Sequence, residues 1–249
     1  AYELVAEVPW SYTLEEDAVI AMMEEVRASL TRNGREVMDD IVLNADTTGL
    51  NNINADGTTI TTSTAGKAHF LLGFDGLLHL PLIDNTGQAN SHGAAVSDDM
   101  FNEIRAKLGK YGVRPGELAF ISDINTYIRC LGVENFRTID KFGPQYTLRT
   151  GQLGAVEGIP FLVSEQMRLA DTDGKVTSGG NLTDTGRLLL VNHSQWRKGF
   201  RREMSIETDR NIQTRQHIMV VSFRMAFAER SGNRATATHT ALQYNITGL

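Results

Sequence analysis

The sequence has only one cysteine and no long hydrophobic run. Its single thiol, Cys130, cannot form an intrachain disulfide and has no second thiol with which to bind zinc or form a redox pair. No apolar run approaches the roughly 18 residues that span a bilayer, and no basic segment followed by an apolar stretch is visible at the N-terminus. We therefore expect a soluble protein from a reducing compartment, without a membrane partner.

An excess of positive charge is absent as well. The 249 residues include 24 lysines and arginines against 30 aspartates and glutamates, which gives a formal net charge of -6. This balance argues against a protein that coats nucleic acid with its whole surface, and it restricts any such contact to a local patch. Hydrophobic residues make up 41% of the chain, so we expect a sizeable core in one or two domains.

The hydrophobic pattern predicts a long helix over residues 14–43. Apolar residues recur there every four positions, and Thr13 with Glu16 forms a capping box at the start. Residues 46–63 are rich in Asp, Thr, Asn and Gly, a composition that predicts a loop. Two shorter helices are predicted over 97–111 and 123–131.

Strands are predicted mainly in the second half of the chain. Short strands are expected at 118–122, 159–164 and 187–192. Apolar residues alternate strictly from Ile218 to Phe227, which predicts a long strand with one core face. Turn signals on both sides favour an antiparallel meander with strands at 204–208 and 235–242. The predicted fold class is α+β, without internal repeats.

One triplet has the form of a catalytic motif. Asp184-Thr185-Gly186 matches the aspartic-protease pattern, in which two carboxylates share a proton. Similar Asp/Thr/Gly turns begin at Asp46, Asp84 and Asp171, and the triplet lacks preceding apolar residues, so turn chemistry is favoured. An aspartic-type hydrolase that uses Asp184 is kept as a remote alternative.

Cofactor and metal motifs are incomplete. The glycine-spaced segment 151–158 lacks the Gly-Lys-Ser/Thr ending of a phosphate loop, and no glutamate closes a calcium loop that begins at Asp171. The six histidines never recur at helical ligand spacing, and no cysteine completes a ligand set. No cofactor and no metal are expected.

A basic cluster lies beside two aromatic residues. The basic residues are Arg197, Lys198, Arg201 and Arg202, and the aromatic residues are Trp196 and Phe200. Phosphate contacts and base stacking would suit nucleic acid. Because Glu203, Glu207 and Asp209 follow at once, a charge-paired subunit interface is favoured. Both interpretations stay open at this stage.

Several short motifs follow one another in a characteristic order. They are the sequences at 43–49, 76–78, 118–122 with a helix at 124–131, 142–145 and 158–164. This order resembles the tailed-bacteriophage major capsid proteins of the Hong Kong 97 fold, in which a spine helix and its turn precede a strand and helix of the axial domain. The segments 204–209, 215–229 and 235–242 are similar to the long strands that close the family's chain.

The resemblance implies both a fold and a function. The fold would be a Hong Kong 97-like α+β capsid fold. A discontinuous peripheral domain at 1–69 and 204–249 would unite the spine helix with long antiparallel strands, and 70–203 would form an axial α/β domain. The chain would self-assemble into an icosahedral head around packaged double-stranded DNA, without catalysis. An encapsulin-type nanocompartment shell is the nearest alternative.

The resemblance also implies partners and a location. Copies of the chain would form hexamers and pentamers, with portal, scaffold and decoration proteins as further candidates. The subunit would assemble in the host cytoplasm and reside in the virion. The family has an N-terminal arm and an extended loop before the spine helix, and residues 1–8 are compared with the returning strand of that loop.

Loops and contact residues are assigned on the same basis. The polar stretches 82–97 and 171–186 are candidates for the loop at the fivefold and sixfold axes. Six charged residues, on or next to strands that are otherwise committed to a core, are predicted to lie at subunit contacts. They are Arg201, Arg202, Arg215, Arg224, Glu229 and Arg230.

Overall fold

The computed structural model describes residues 1–17, 22–53, 69–133, 154–176 and 184–248. The chain divides into two compact units, one of residues 1–40 with 198–227 and the other of residues 41–197 with 228–249. The helices are α1 (Tyr12–Asp17), α2 (Met22–Asn44), α3 (Asp99–Lys107) and α4 (Ile124–Leu131). The strands are β1 (Tyr2–Ser11), β2 (Ala89–Ser91), β3 (Leu118–Ser122), β4 (Ala155–Val156), β5 (Ile159–Val163), β6 (Gly186–Asn192), β7 (Trp196–Asn211), β8 (Gln216–Glu229) and β9 (Thr240–Ile246).

The first unit is a three-stranded sheet covered by part of α2. The strand order is β1-β8-β7, and β1 pairs antiparallel with β8. The predicted alternation along β8 is confirmed, because Met219, Val221, Phe223 and Met225 are all buried. Met219 and Val221 form a core cluster with Trp10 and Leu30. Each such side chain, when fully buried, stabilises the fold by about 1.5–3 kcal/mol.

The second unit contains a six-stranded mixed sheet. Its order is β2-β9-β6-β3-β5-β4, with β3 parallel to β5 and antiparallel to β6. All seven residues of β6 are buried, which explains the continuous apolar run from Leu188 to Val191. The core beside this sheet includes the rings of Phe101, Phe120 and Phe161, whose centroids lie 5.4–6.3 Å apart.

The predicted C-terminal meander is right for β7 and β8, which are neighbours in one sheet, and wrong for β9. Strand β9 does not join β8; it pairs with β6 on one side and β2 on the other. The physical reason is visible in its burial, because the four consecutive residues Thr240 to Gln243 are buried on both faces. A strand of that kind belongs in the interior of a covered sheet. The place beside β8 is taken by β1 instead.

Other expectations are adjusted in detail. The helix predicted over 97–111 is α3 with a 3-10 turn at Gly109–Gly112, and the strand predicted at 204–208 is the longer β7. The boundaries of the two units differ from those of the predicted domains, which were 1–69 with 204–249 and 70–203. Their assignment as peripheral and axial stays a prediction.

Some predictions fall on residues outside the described ranges. These are the part of the long helix at 18–21, the loop from 54 to 63, the motif at 142–145, residues 151–153 of the glycine-spaced segment, and residues 177–183 of the second polar stretch. In the described ranges, no helix has the length and apolarity needed to cross a membrane.

The end of α2 is fixed by a short segment that the resemblance singled out, residues 76–78. The backbone N–H of Leu77 donates to Val42 O at 2.9 Å, and Leu78 N–H donates to Leu43 O at 3.0 Å. Gly76 lies so close to the helix end that an added Cβ would approach Leu43 O to 2.8 Å and Ala45 N to 2.9 Å. Only glycine permits this backbone approach.

We expect Gly76→Ala to lower the free energy of unfolding by about 1–3 kcal/mol, since the rigid backbone must move to admit the methyl group. Urea unfolding followed by tryptophan fluorescence measures the change. Gly116→Ala is the matched control, because an added Cβ there meets no described atom within 4 Å. Equal stability of the two variants would show that the contact is not tight.

Candidate functional site

Two of the predicted contact residues lie on an exposed part of β7. Residues 197–203 are all exposed, and this stretch includes Arg201 and Arg202. The Arg202 guanidinium contacts the Glu3 carboxylate, with both side chains about half exposed. An exposed pair of this kind contributes little to stability, so both groups remain accessible to another surface.

Three further predicted residues differ in their surroundings. Arg215 is exposed in the turn between β7 and β8, where its φ is +53° and its carbonyl accepts from Tyr12 N–H at 3.2 Å. Arg230 is exposed as well. Arg224 is half-buried opposite Glu3, and within the described part of the chain its buried Nε has no hydrogen-bond partner.

Glu229 is held inside the second unit. Its carboxylate lies 3.0 Å from Nε2 of His239, and their side chains are 6% and 0% exposed. Trp196 Nε1–H donates to Thr240 Oγ1 at 2.9 Å, and that hydroxyl lies 3.2 Å from His239 Nδ1. Since burial lowers the pKa of His239, the ring is neutral, with Nδ1 accepting from Thr240 and Nε2–H donating to Glu229.

This arrangement weakens the nucleic-acid interpretation of the basic cluster. Trp196 is buried and its N–H is engaged by Thr240, so it cannot stack on a base. Phe200 remains 43% exposed, with Lys198 Nζ 5.3 Å from its ring centroid. One partly exposed ring beside four cations fits a charged contact better than a row of stacking platforms.

The Asp184 triplet leads into β6 through a β-bridge rather than a turn. Thr185 pairs with Ala170 through backbone hydrogen bonds, and its hydroxyl donates to Ala170 O at 2.5 Å. Asp184 itself is exposed. Thr185 therefore joins two backbone segments, which is a structural role, although the turn expected from its sequence is not formed.

Sequence reasoning missed a buried cation, Arg187. The side chain is fully buried in β6, and its guanidinium donates to Arg168 O at 2.5 and 2.9 Å and to Ile53 O at 3.0 Å. Its backbone N–H donates to Asp123, which also caps α4 through Thr126 N–H at 2.8 Å. Burial lowers the pKa of Arg187 to about 10 against the opposing charge of Asp123, so the group stays charged at neutral pH.

A second polar centre lies beside the end of α2. His79 is buried, with Nδ1 2.9 Å from Asp84 Oδ2 and Nε2 3.5 and 3.6 Å from Asp46 Oδ1 and Asp75 Oδ1. Arg234 completes the group, because its Nε lies 2.6 Å from Asp84 Oδ2 and its guanidinium 3.5 Å from Asp75 Oδ2. We call Asp46, Asp75, His79, Asp84 and Arg234 the polar clasp.

The clasp has donor atoms close enough together to surround a cation. Oxygens of Asp46 and Asp75 and a ring nitrogen of His79 lie within 4.8 Å of one another. However, Asp46 Oδ1 already accepts from the N–H and hydroxyl of Thr48, and Asp75 Oδ1 from those of Thr47, at 2.8–3.0 Å. A metal ion needs free lone pairs on these oxygens, whereas a protonated imidazole at 3.5–3.6 Å attracts both carboxylates through its charge.

The only cysteine is inaccessible. Cys130 lies on the buried face of α4, and burial raises the pKa of its thiol to about 12. A thiol in such surroundings is inert, because the reactive species is the thiolate.

Comparisons with solved structures identify the fold. The capsid of an empty GTA particle matches with a TM-score of 0.59 at 14% identity, over 99% of this chain and 74% of that one. The mature capsid of bacteriophage PhiM1 matches at 0.57 and 11% identity, over 100% and 72%. The fold is that of a tailed-phage capsid subunit. The Hong Kong 97-like resemblance seen in the sequence is thereby confirmed for the fold.

The same fold also occurs in a non-viral container. The SrpI encapsulin of Synechococcus elongatus matches with a TM-score of 0.55 at 14% identity, over 98% of this chain and 74% of that one. No protein-family model matches the sequence, and no curated protein matches it.

Arg187→Leu should lower the free energy of unfolding by about 3 kcal/mol or more, because buried carbonyls lose their donor and Asp123 loses its countercharge. Arg187→Lys should recover only part, since lysine lacks the planar fork. Chemical denaturation of the purified chain measures both changes.

Arg114→Leu is the control for the removal of an arginine. Its side chain is 78% exposed and pairs with Glu117 three residues away, so the expected loss is below about 1 kcal/mol. A similar loss for Arg187→Leu would mean that the buried group contributes nothing beyond a surface ion pair.

Proposed function

We propose that this chain is a major capsid protein, a shell subunit that self-assembles into the icosahedral head of a tailed bacteriophage around packaged double-stranded DNA. The observation that carries the proposal is the match of at least 98% of the chain to capsid and encapsulin subunits. In this role the subunit assembles in the host cytoplasm, forms hexamers and pentamers and resides in the virion. Portal, scaffold and decoration proteins are its further partners.

The edges of the first unit support contact between copies. β1 and β7 are the outer strands of its sheet, so within the described residues each has one edge without a neighbouring strand. Long open edges are templates for pairing with another chain unless they are covered. In a closed symmetric shell one such contact repeats many times, so modest individual contacts become collectively strong.

Charge on these strands supports the predicted contact residues. The outer strand β1 contributes Glu3 and Glu7, whereas the exposed part of β7 contributes Arg201 and Arg202. Opposite charge on two open edges favours a heterologous contact between copies over a contact of like edges. Arg215 and Arg224 add further positive charge to the first unit, and Arg230, in the second unit, is proposed as a separate contact residue.

Glu229, the sixth predicted contact residue, is engaged within the chain. Its carboxylate is bonded to buried His239 within the chain, so it would have to leave that partner to reach a second subunit. Arg201, Arg215 and Arg230 are exposed and need no such rearrangement. Arg202 would have to exchange its exposed partner Glu3, and Arg224 is half-buried. Glu229 therefore serves as an internal comparison for the interface.

A phage head and an encapsulin-type shell differ in what they enclose. The net charge of -6 favours a genome that is held loosely, because an acidic wall limits trapping of DNA by non-specific contact. An encapsulin-type nanocompartment, which encloses protein cargo, is the second candidate, supported by the SrpI match. We favour the phage head because the sequence motifs resemble that family.

Negative-stain electron microscopy with light scattering should reveal closed, uniform shells of megadalton mass for the purified full-length protein. Nuclease-sensitive contents indicate a phage head, and a protein cargo indicates the encapsulin alternative. A monomer or dimer that persists across salt and protein concentrations contradicts both shell functions.

Arg201→Glu and Arg215→Glu should each reduce the yield of shells at least tenfold, because each reverses an exposed charge at the proposed contact. A loss of about 1.4 kcal/mol at one contact already lowers the association constant of that contact tenfold. The free energy of unfolding should change by less than about 0.5 kcal/mol. Particle yield is measured by sedimentation.

Glu229→Gln provides the contrasting control. It weakens the internal bond to His239, so we expect lower stability of the folded chain with normal assembly of the folded fraction. Normal shells from both arginine variants would contradict the interface assignment while leaving the shell function intact.

A further inference from the structure

The polar clasp joins three separate parts of the second unit. Asp46 directly follows α2, while Asp75, His79 and Asp84 lie on the segment whose amides dock on the helix end. Arg234 begins the 3-10 turn Arg234–Thr236 that precedes β9. The side chains of His79 and Asp46 are 7% and 4% exposed, so solvent screens their interaction only weakly.

The geometry requires a proton on both ring nitrogens of His79. Nδ1 faces the Asp84 carboxylate at 2.9 Å, and Nε2 faces those of Asp46 and Asp75 at 3.5 and 3.6 Å. A neutral imidazole has one nitrogen with a lone pair, and here that lone pair faces a carboxylate whichever nitrogen it occupies. Only the imidazolium attracts the acidic groups on both sides.

The charge balance leads to the same conclusion. With His79 neutral, three carboxylates are opposed by the single guanidinium of Arg234. Protonation of His79 supplies a second positive charge at the centre of the group. Arg234 cannot replace it, because its bonds reach Asp84 and Asp75 but none is formed with Asp46 in the described structure.

We propose that protonation of His79 controls how firmly the polar clasp is held together. Protonated His79 holds the segment 75–84 and Arg234 against the end of α2. Loss of that proton loosens the attachment of this segment. Protonation of the carboxylates on the acid side loosens it too. This pH dependence is a property of the folded chain and does not depend on shell assembly.

The direction of the pH dependence follows from the surroundings of His79. Burial alone would lower its pKa, but hydrogen bonds with Asp46 and Asp84 and the charges of Asp75 and Asp84 raise the pKa above 6.5. The stabilisation from His79 is therefore complete below pH 6.5 and disappears as the pH rises through the raised value. The charge of Arg234 also acts on a further titratable group, His239, which is paired with Glu229.

The acid limit is set by the carboxylates. Burial alone would raise the pKa of Asp46, but hydrogen bonds from His79, Thr48 and Asn51 hold it well below its ordinary value. The stabilisation from Asp46 is therefore present above about pH 4 and is lost as the pH falls towards the depressed value. The clasp is strongest between about pH 4 and 6.5.

The decisive experiment is a titration of the unassembled full-length chain by NMR, with isotope-labelled histidine. We expect the His79 ring to titrate above 6.5, and His79→Gln identifies its signal. Hydrogen exchange at Leu77 and Leu78, corrected for intrinsic rates, should lose about tenfold protection per unit of pKa shift between pH 6 and 8.5.

Two variants act as controls. Asp84→Asn keeps the imidazole but removes one carboxylate, so the His79 titration should move to lower pH. His193→Gln replaces an exposed histidine whose ring contacts only Gly116 O at 3.3 Å, and it should leave the pH dependence unchanged.

Three outcomes would overturn the proposal. They are titration of His79 at or below 6.5, an unchanged pH dependence of Leu77 and Leu78 exchange in His79→Gln, and loss of protection on treatment with EDTA. The last would indicate a bound metal instead. If His79→Gln fails to fold, the wild-type titration together with Asp84→Asn still decides the question.

Discussion

The second unit depends on a positive charge placed where no water reaches it. Removing a guanidinium from water costs several kcal/mol, and this cost is offset only when every donor finds an acceptor. Each guanidinium nitrogen of Arg187 donates to a carbonyl of Ile53, Arg168 or Gly174, all of which lie in irregular segments. Through Arg187, the strand β6 in the middle of the sheet thus fixes the positions of the loops around it.

Asp123 connects this charge to the regular structure. One carboxylate accepts from the Arg187 backbone and from Thr126, so the first turn of α4 and the central strand β6 share a single anion. A helix cap ordinarily contributes about 1 kcal/mol, but here it also opposes a buried cation. The polar interior is therefore specific as well as stabilising, since few side chains could meet both requirements.

The parts of the fold that were predictable have local causes. The alternation on β8 and the helical period of α2 are each readable within a short window, because one face of each element is buried. The partner of β9 is not local, because its residues are buried on both faces and carry no alternation. Turn signals alone therefore assigned it to the wrong neighbour.

The candidate sites also differ in how far they could be predicted from the sequence. Exposed arginines on β7 stand out in the sequence because they form a cluster of positive charge in a chain with a net charge of -6. The polar clasp does not, because Asp46, His79 and Arg234 are separated by long stretches and resemble ordinary turn residues. Asp46 lies in the helix-end motif and His79 directly follows the glycine-leucine motif, so the motif order marked the location without revealing its chemistry.

The burial of Cys130 has a practical consequence for studying particles made of this chain. Because the native thiol stays protonated and shielded, the surface is free of reactive sulfur within the described residues. A cysteine introduced at Ile212, which is 83% exposed at the tip of the β7–β8 hairpin, would be the single point of attachment for a fluorophore or spin label. Distances between neighbouring copies then become measurable without first removing any residue of the natural sequence.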